Sequence, residues 1–114
     1  MPTAAQSQAI GDAISSIRSA ENGLLEQGRR TTDPLIATKI SNEYNALDSI
    51  LTQLVQAQVI ADDATFQKAA AALKKEAATL DAQAKAISKI IADIGVAGKI
   101  AGYIAQAAAA LGSL

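Results

Sequence analysis

The chain has 114 residues, half of them apolar and many of these Ala, which fits a single domain over residues 1–114. It contains neither Cys nor His, which excludes disulfides, thiolate chemistry, and the commonest general base and metal ligand. The net charge of −1 comes from both signs spread along the chain, which argues against nucleic-acid binding because such a protein needs a basic surface.

The first predicted helix covers residues 3–29. Thr3 and Gln6 fit a capping box at its start, and Gly28 fits a C-terminal stop. Glu21 interrupts the apolar face, and Arg18 three residues earlier predicts a partly exposed ion pair near a bundle end. The apolar face has residues three and four positions apart: Ile10, Ile14, Ile17 and Leu24.

The second predicted helix covers residues 33–60 and has the clearest start in the sequence. Asp33 fits an N-cap, and Pro34 fits the first helical position because it has no amide to leave unpaired. Residues 61–65 hold no apolar side chain larger than Ala, which predicts a turn with an Asp or Thr cap or, alternatively, a kink. The apolar face consists of Ile40, Tyr44, Leu47, Leu51 and Leu54.

The third predicted helix covers residues 63–94 and has the most regular pattern, a heptad repeat typical of coiled-coil packing. Continued without a break to Leu111, this helix would be about 70 Å long and would extend beyond the first two helices. Either the chain breaks near Gly95 and Gly98, or the excess length meets another copy. The heptad positions are Phe66, Ala70, Leu73, Ala77, Leu80, Ala84, Ile87, Ile91 and Ile94.

A fourth, shorter helix over residues 96–112 completes the prediction. Because short connections make consecutive helices antiparallel neighbours, the expected fold is all-α: an up-down bundle of three long helices and one short helix with heptad-type packing.

The segment 94–114 differs from the rest because Lys99 is its only charged side chain. Gly98 and Gly102 match the small-xxx-small spacing at which two helices pack closely. Three interpretations remain open: burial inside the bundle, a homo-oligomer interface, or contact with a membrane. The candidate interaction or packing residues are Ile94, Gly95, Gly98, Ile100, Gly102, Tyr103, Ile104 and Leu111.

No constellation of residues indicates catalysis. Asp62 and Asp63 fit a helix cap better than a metal site, and no phosphate-binding loop is present, so no catalytic, metal or cofactor residue is predicted. We therefore expect a non-enzymatic protein-interaction or structural module whose partner is itself or another helical protein. A membrane-interacting or pore-forming-type protein is the alternative. The N-terminus lacks a Sec-type signal pattern, so a cytoplasmic location is the default, with secretion by a signal-less route still open.

Overall fold

The computed structural model describes residues 2–114 and contains four helices. α1 spans Ala4–Arg30, α2 spans Pro34–Gln58, α3 spans Asp63–Ile90 and α4 spans Ile94–Gly112. Three helices are long and the last is shorter, as the sequence predicts. No strand occurs within the described residues.

The helices form an up-down antiparallel bundle, because the connections at residues 31–33, 59–62 and 91–93 are short. α1 packs against α2 and α4, and α3 packs against the same two helices, so four neighbouring pairs surround one core. The α2–α3 contact is the least extensive of the four. The bundle measures 47 × 19 × 18 Å, and the predicted all-α bundle is confirmed.

The predicted starts of the first two helices are confirmed. Thr3 Oγ1 accepts a hydrogen bond from the Gln6 amide at 3.0 Å, and Gln6 Oε1 accepts one from the Thr3 amide at 3.1 Å. Asp33 caps α2 by accepting from the Leu35 amide at 2.9 Å, with Pro34 at the first helical position. These side chains satisfy amides that a helix start leaves without partners.

The break before the last helix lies earlier than the sequence predicts. α3 ends at Ile90, and residues 91–93 form the turn, whereas Gly95 lies inside α4. Asp93 caps α4 by accepting a hydrogen bond from the Val96 amide at 3.1 Å. A carboxylate that satisfies a free amide defines a helix start more strongly than a nearby glycine does.

The prediction that Gly28 ends the first helix is wrong. α1 continues to Arg30, and Gly28 faces α2, where an added Cβ would lie 3.7 Å from Ile40 Cγ2. Its place is therefore at a helix–helix contact, and the helix ends only where Thr31 adopts an extended conformation.

The core contains most of the predicted heptad positions of α3. Phe66, Leu73, Leu80 and Ile87 are buried together with apolar residues of the other three helices. Ile94 does not continue this series, because the chain turns at residues 91–93 and leaves Ile94 88% exposed. Knobs-into-holes packing of the coiled-coil type stays a prediction.

Candidate functional site

α4 divides the predicted interaction residues between the core and the surface. The large side chains that point into the bundle and are buried are Ile100, Ile104 and Leu111. The other predicted interaction residues are exposed or half-buried: Ile94, Gly95, Gly98, Gly102 and Tyr103. Of the three interpretations of this segment, burial inside the bundle applies to one side of α4, which packs against α1 and α3, while its small outward residues stay exposed.

We define the α4 outer face as the strip of small residues that points away from the bundle. Its members are three or four positions apart and therefore lie on one side of the helix. They are Gly95, Gly98, Gly102, Ala105, Ala109 and Gly112. Lys99, Gln106 and Ser113 lie beside this face and are exposed.

The glycines at the centre of the α4 outer face are not required by packing within the chain. A Cβ atom added at Gly98 or at Gly102 would meet no atom within 4 Å. A glycine inside a helix costs about 0.5–1 kcal/mol relative to alanine. Two central positions of α4 therefore reduce helix stability without allowing any closer contact inside the bundle.

Gly23 on α1 shows the opposite situation. A Cβ atom there would lie 2.7 Å from Ile100 Cγ1 and 3.1 Å from its Cδ1, so glycine is needed for α1 and α4 to pack this closely. The sequence interpretation placed the close helix contact at Gly98 and Gly102. Within the bundle, that contact instead occurs at Gly23, which sequence reasoning did not single out.

α4 also passes a simple test for membrane-spanning helices. Among the described helices it alone is long and apolar enough, with a mean hydropathy of 1.3 over its most apolar stretch. Only 33% of that stretch is buried in the bundle. The side chains that make it apolar are largely those in the core, whereas the α4 outer face carries Gly and Ala.

Glu21 is the one buried acidic residue of the described chain, and it lies where α1 packs against α2. It is 5% exposed, and its Oε2 atom has no hydrogen-bond partner. The expected ion pair with Arg18 near a bundle end is therefore wrong: Glu21 lies at the helix contact, whereas Arg18 is exposed. Its neighbours across the contact are Asp48 and Tyr44 of α2.

The surroundings of Glu21 favour its protonated form. Burial, a hydrogen bond with the Asp48 carboxyl group, and the negative charge of Asp48 raise the Glu21 pKa from 4.5 to about 7, and Arg18 opposes this rise. The negative charge of Glu21 in turn raises the pKa of the Tyr44 hydroxyl. The α1–α2 contact thus contains a carboxyl group that titrates near neutral pH.

A second buried polar side chain lies on the other side of α2. Gln83 of α3 is 7% exposed, and its Nε2 donates a hydrogen bond to Glu43 Oε2 at 3.1 Å. Its Oε1 atom has no partner within the described residues. α2 therefore meets each of its two neighbouring helices through a buried polar group that is incompletely hydrogen-bonded.

The described surface has shallow grooves and no metal-binding cluster. The groove between α1 and α2 has a volume of about 280 Å³ and is lined mainly by apolar side chains, among them Leu24, Leu25, Ile40 and Tyr44. No group of three or more Asp or Glu side chains that could hold a metal ion occurs in residues 2–114.

Comparisons of the chain with protein-family models, curated proteins and solved structures found no match.

Proposed function

We propose that this protein is a non-enzymatic helical module that acts through protein–protein contact, with a second copy of the chain as its first partner. The proposed contact surface is the α4 outer face. The observation that carries the proposal is the pair Gly98 and Gly102, where two helical glycines face open space. These glycines lower the stability of the isolated helix. A second helix packed against them from outside would occupy the space that their missing side chains leave.

A helix face made only of Gly and Ala lets another helix pack unusually close. Removing Cβ atoms at positions four apart brings two helix backbones into van der Waals contact, as in the small-xxx-small pattern. Contact with a flat strip that contains no charged residue also avoids the cost of desolvating charges. The α4 outer face offers such a strip between its neighbours α1 and α3.

The symmetry of the α4 outer face favours a second copy over an unrelated helix. Successive members of the strip are three, four, three, four and three residues apart. The pattern of small residues is therefore symmetric about a point between Tyr103 and Ile104. In an antiparallel pair related by a two-fold axis, Gly102 lies opposite Ala105 of the second copy, and Gly98 lies opposite Ala109. Small residues then meet small residues along the whole strip, and two-fold dimers are the commonest oligomers.

Lys99 does not hinder pairing in either direction, because it lies about a quarter turn from the centre of the α4 outer face. In a parallel two-fold pair the two Lys99 side chains lie on opposite edges of the contact. In an antiparallel pair they lie on the same edge but about 13 Å apart along the helix axis, a distance at which physiological salt screens their repulsion. We propose the antiparallel pair because it also sets the two helix dipoles in opposite directions.

The experiment is sedimentation equilibrium over micromolar to submillimolar concentrations. The wild-type chain should show the mass of a dimer at the higher concentrations. Gly98→Gln combined with Gly102→Gln should give a monomer whose thermal stability is equal or higher, because Gln favours helix and both sites are open. Gly11→Gln is the matched control, since Gly11 is an open helical glycine of α1. A wild-type chain that stays monomeric, or a double variant that still dimerises, contradicts the proposal.

A second candidate function is contact with a membrane through α4, which the length and hydropathy of that helix favour. Because Ile100, Ile104 and Leu111 are buried, α4 must leave the bundle before it presents them to lipid. Co-flotation of the full chain with phosphatidylcholine vesicles, with and without phosphatidylglycerol, tests this function. Protein in the floating fraction supports it, and protein left in the dense fraction with both vesicle types contradicts it.

A further inference from the structure

The α1–α2 contact buries the carboxyl group of Glu21, which is 5% exposed and whose Oε2 atom has no hydrogen-bond partner. The Asp48 carboxyl group lies beside it on α2 and is one of the groups that raise the Glu21 pKa. An ionised Glu21 has acceptor atoms only, so it cannot donate to the Asp48 carboxylate. A proton on Glu21 supplies the missing donor and removes a buried negative charge.

The charged and ionisable groups around Glu21 do not replace that proton. Arg18, on the same helix, is exposed and opposes the effect only in part. On α2, Tyr44 and Asp48 face Glu21. The ionisable side chains of α4, Lys99 and Tyr103, are not among the groups that shift the Glu21 pKa. α3 touches α1 through the hydrogen bond between Gln67 and Gln6, at the far end of α1 from Glu21.

α2 is the helix whose attachment depends most on this contact. It packs against α1 and α3, and the α2–α3 contact is the least extensive in the bundle. That weaker contact also contains Gln83 with its unpartnered Oε1 atom. Loss of the hydrogen bond between Glu21 and Asp48 therefore affects the more extensive of the two contacts that hold α2.

We propose that buried Glu21 keeps its proton at the α1–α2 contact and donates it in a hydrogen bond to the Asp48 carboxylate, and that loss of this proton loosens α2 from the bundle. This release of α2 does not depend on dimer formation through the α4 outer face, since α2 and α4 are not neighbours in the bundle. With the pKa of Glu21 raised from 4.5 to about 7, the change falls between these two pH values.

The direction of the effect follows from proton linkage. When α2 detaches, Glu21 meets water and its pKa returns towards 4.5, so the closed form binds more protons than the open form between that pH and about 7. Raising the pH through this range favours the open form. One proton gives a change on the order of tenfold in the opening equilibrium per pH unit, and the dependence levels off above the pKa of the closed form.

The test is hydrogen–deuterium exchange of the full chain, read by mass spectrometry at several pH values and corrected for the intrinsic exchange rate. In the wild type, corrected exchange of α2 should rise with pH more than that of α3 and α4. In Glu21→Gln this rise should be absent, because the amide donates permanently to Asp48. In Asp48→Asn the rise should shrink and shift to lower pH. Glu26→Gln, an exposed acid of the same helix, should behave as the wild type.

Two results overturn the proposal. One is a wild-type rise of the same size in all four helices, which indicates global unfolding rather than release of α2. The other is a rise in α2 that persists unchanged in both Glu21→Gln and Asp48→Asn. If Glu21→Gln does not fold, Asp48→Asn decides alone, because its substitution lies at an exposed position and leaves Glu21 in place.

Discussion

Replacing Glu21 by Gln should stabilise the protein in alkaline solution and leave it unchanged in acid. The Gln side chain has nearly the shape of a protonated Glu, and it can donate a hydrogen bond to Asp48 at every pH. Near pH 4 the wild-type Glu21 is protonated in the folded state, so the two proteins have similar interactions. At about pH 8 the wild type carries a buried charge that the variant lacks.

The magnitude follows from the shift of the Glu21 pKa from 4.5 to about 7. One pKa unit corresponds to about 1.4 kcal/mol, so the full shift corresponds to about 3 kcal/mol. Asp48 is exposed, and solvent screens its share of the effect. We therefore expect the variant to gain about 2 kcal/mol in free energy of unfolding at alkaline pH.

The pH window is set by the two states of Glu21. Its pKa in the folded protein is higher than in the unfolded chain, so the protonated group contributes fully below the unfolded value. That contribution declines as the pH rises from 4.5 and is lost above about 7. The advantage of Glu21→Gln should appear over this interval and then stay constant.

The assay is urea unfolding followed by far-UV circular dichroism, because the chain contains no Trp to report by fluorescence. Wild type, Glu21→Gln and Glu26→Gln are compared across the interval. The control removes an exposed ion pair with Arg30 and should cost at most about 0.5 kcal/mol, equally at neutral and alkaline pH. A stability difference between wild type and Glu21→Gln that is the same at all pH values would contradict a raised pKa of Glu21.

Three further substitutions test the packing by thermal unfolding. Gly23→Ala should lower the free energy of unfolding by about 1–3 kcal/mol, because the added Cβ lies 2.7 Å from Ile100 Cγ1. Gly98→Ala should instead raise it in the monomer by about 0.5–1 kcal/mol, and a loss at Gly98 would show that the site is not open. Leu80→Asp should unfold the bundle, because it places an unpaired charge at a fully buried position; wild-type stability would contradict the core described above.

The helix starts could be predicted from sequence because each depends on neighbouring residues. Thr3 with Gln6, and Asp33 with Pro34, form their caps within a single turn. The end of α3 was predicted less well, since Gly95 and Asp93 both mark a boundary and only the structure shows that Asp93 caps α4. Local signals that compete within two residues leave a boundary uncertain.

The features that depend on pairing between helices could not be predicted. Glu21 interrupts an apolar face in the sequence, but its neighbour Asp48 is 27 positions away and is identified only by the register of α1 against α2. Gly23 likewise acquires its role from Ile100 on α4. The sequence did identify the glycines of α4 as unusual, whereas their outward direction follows from the burial of Ile100 and Ile104 on the opposite side.

Single-cysteine cross-linking tests the proposed antiparallel pairing through the α4 outer face most directly, because the natural chain contains no Cys. In that pair, residues at position 105 are separated by about 4–5 Å along the helix axis and residues at position 109 by about 16 Å. A disulfide requires Cα atoms within about 7 Å. Mild oxidation should therefore cross-link Ala105→Cys and leave Ala109→Cys monomeric. Equal cross-linking of both variants, or cross-linking of neither, would contradict the proposed dimer.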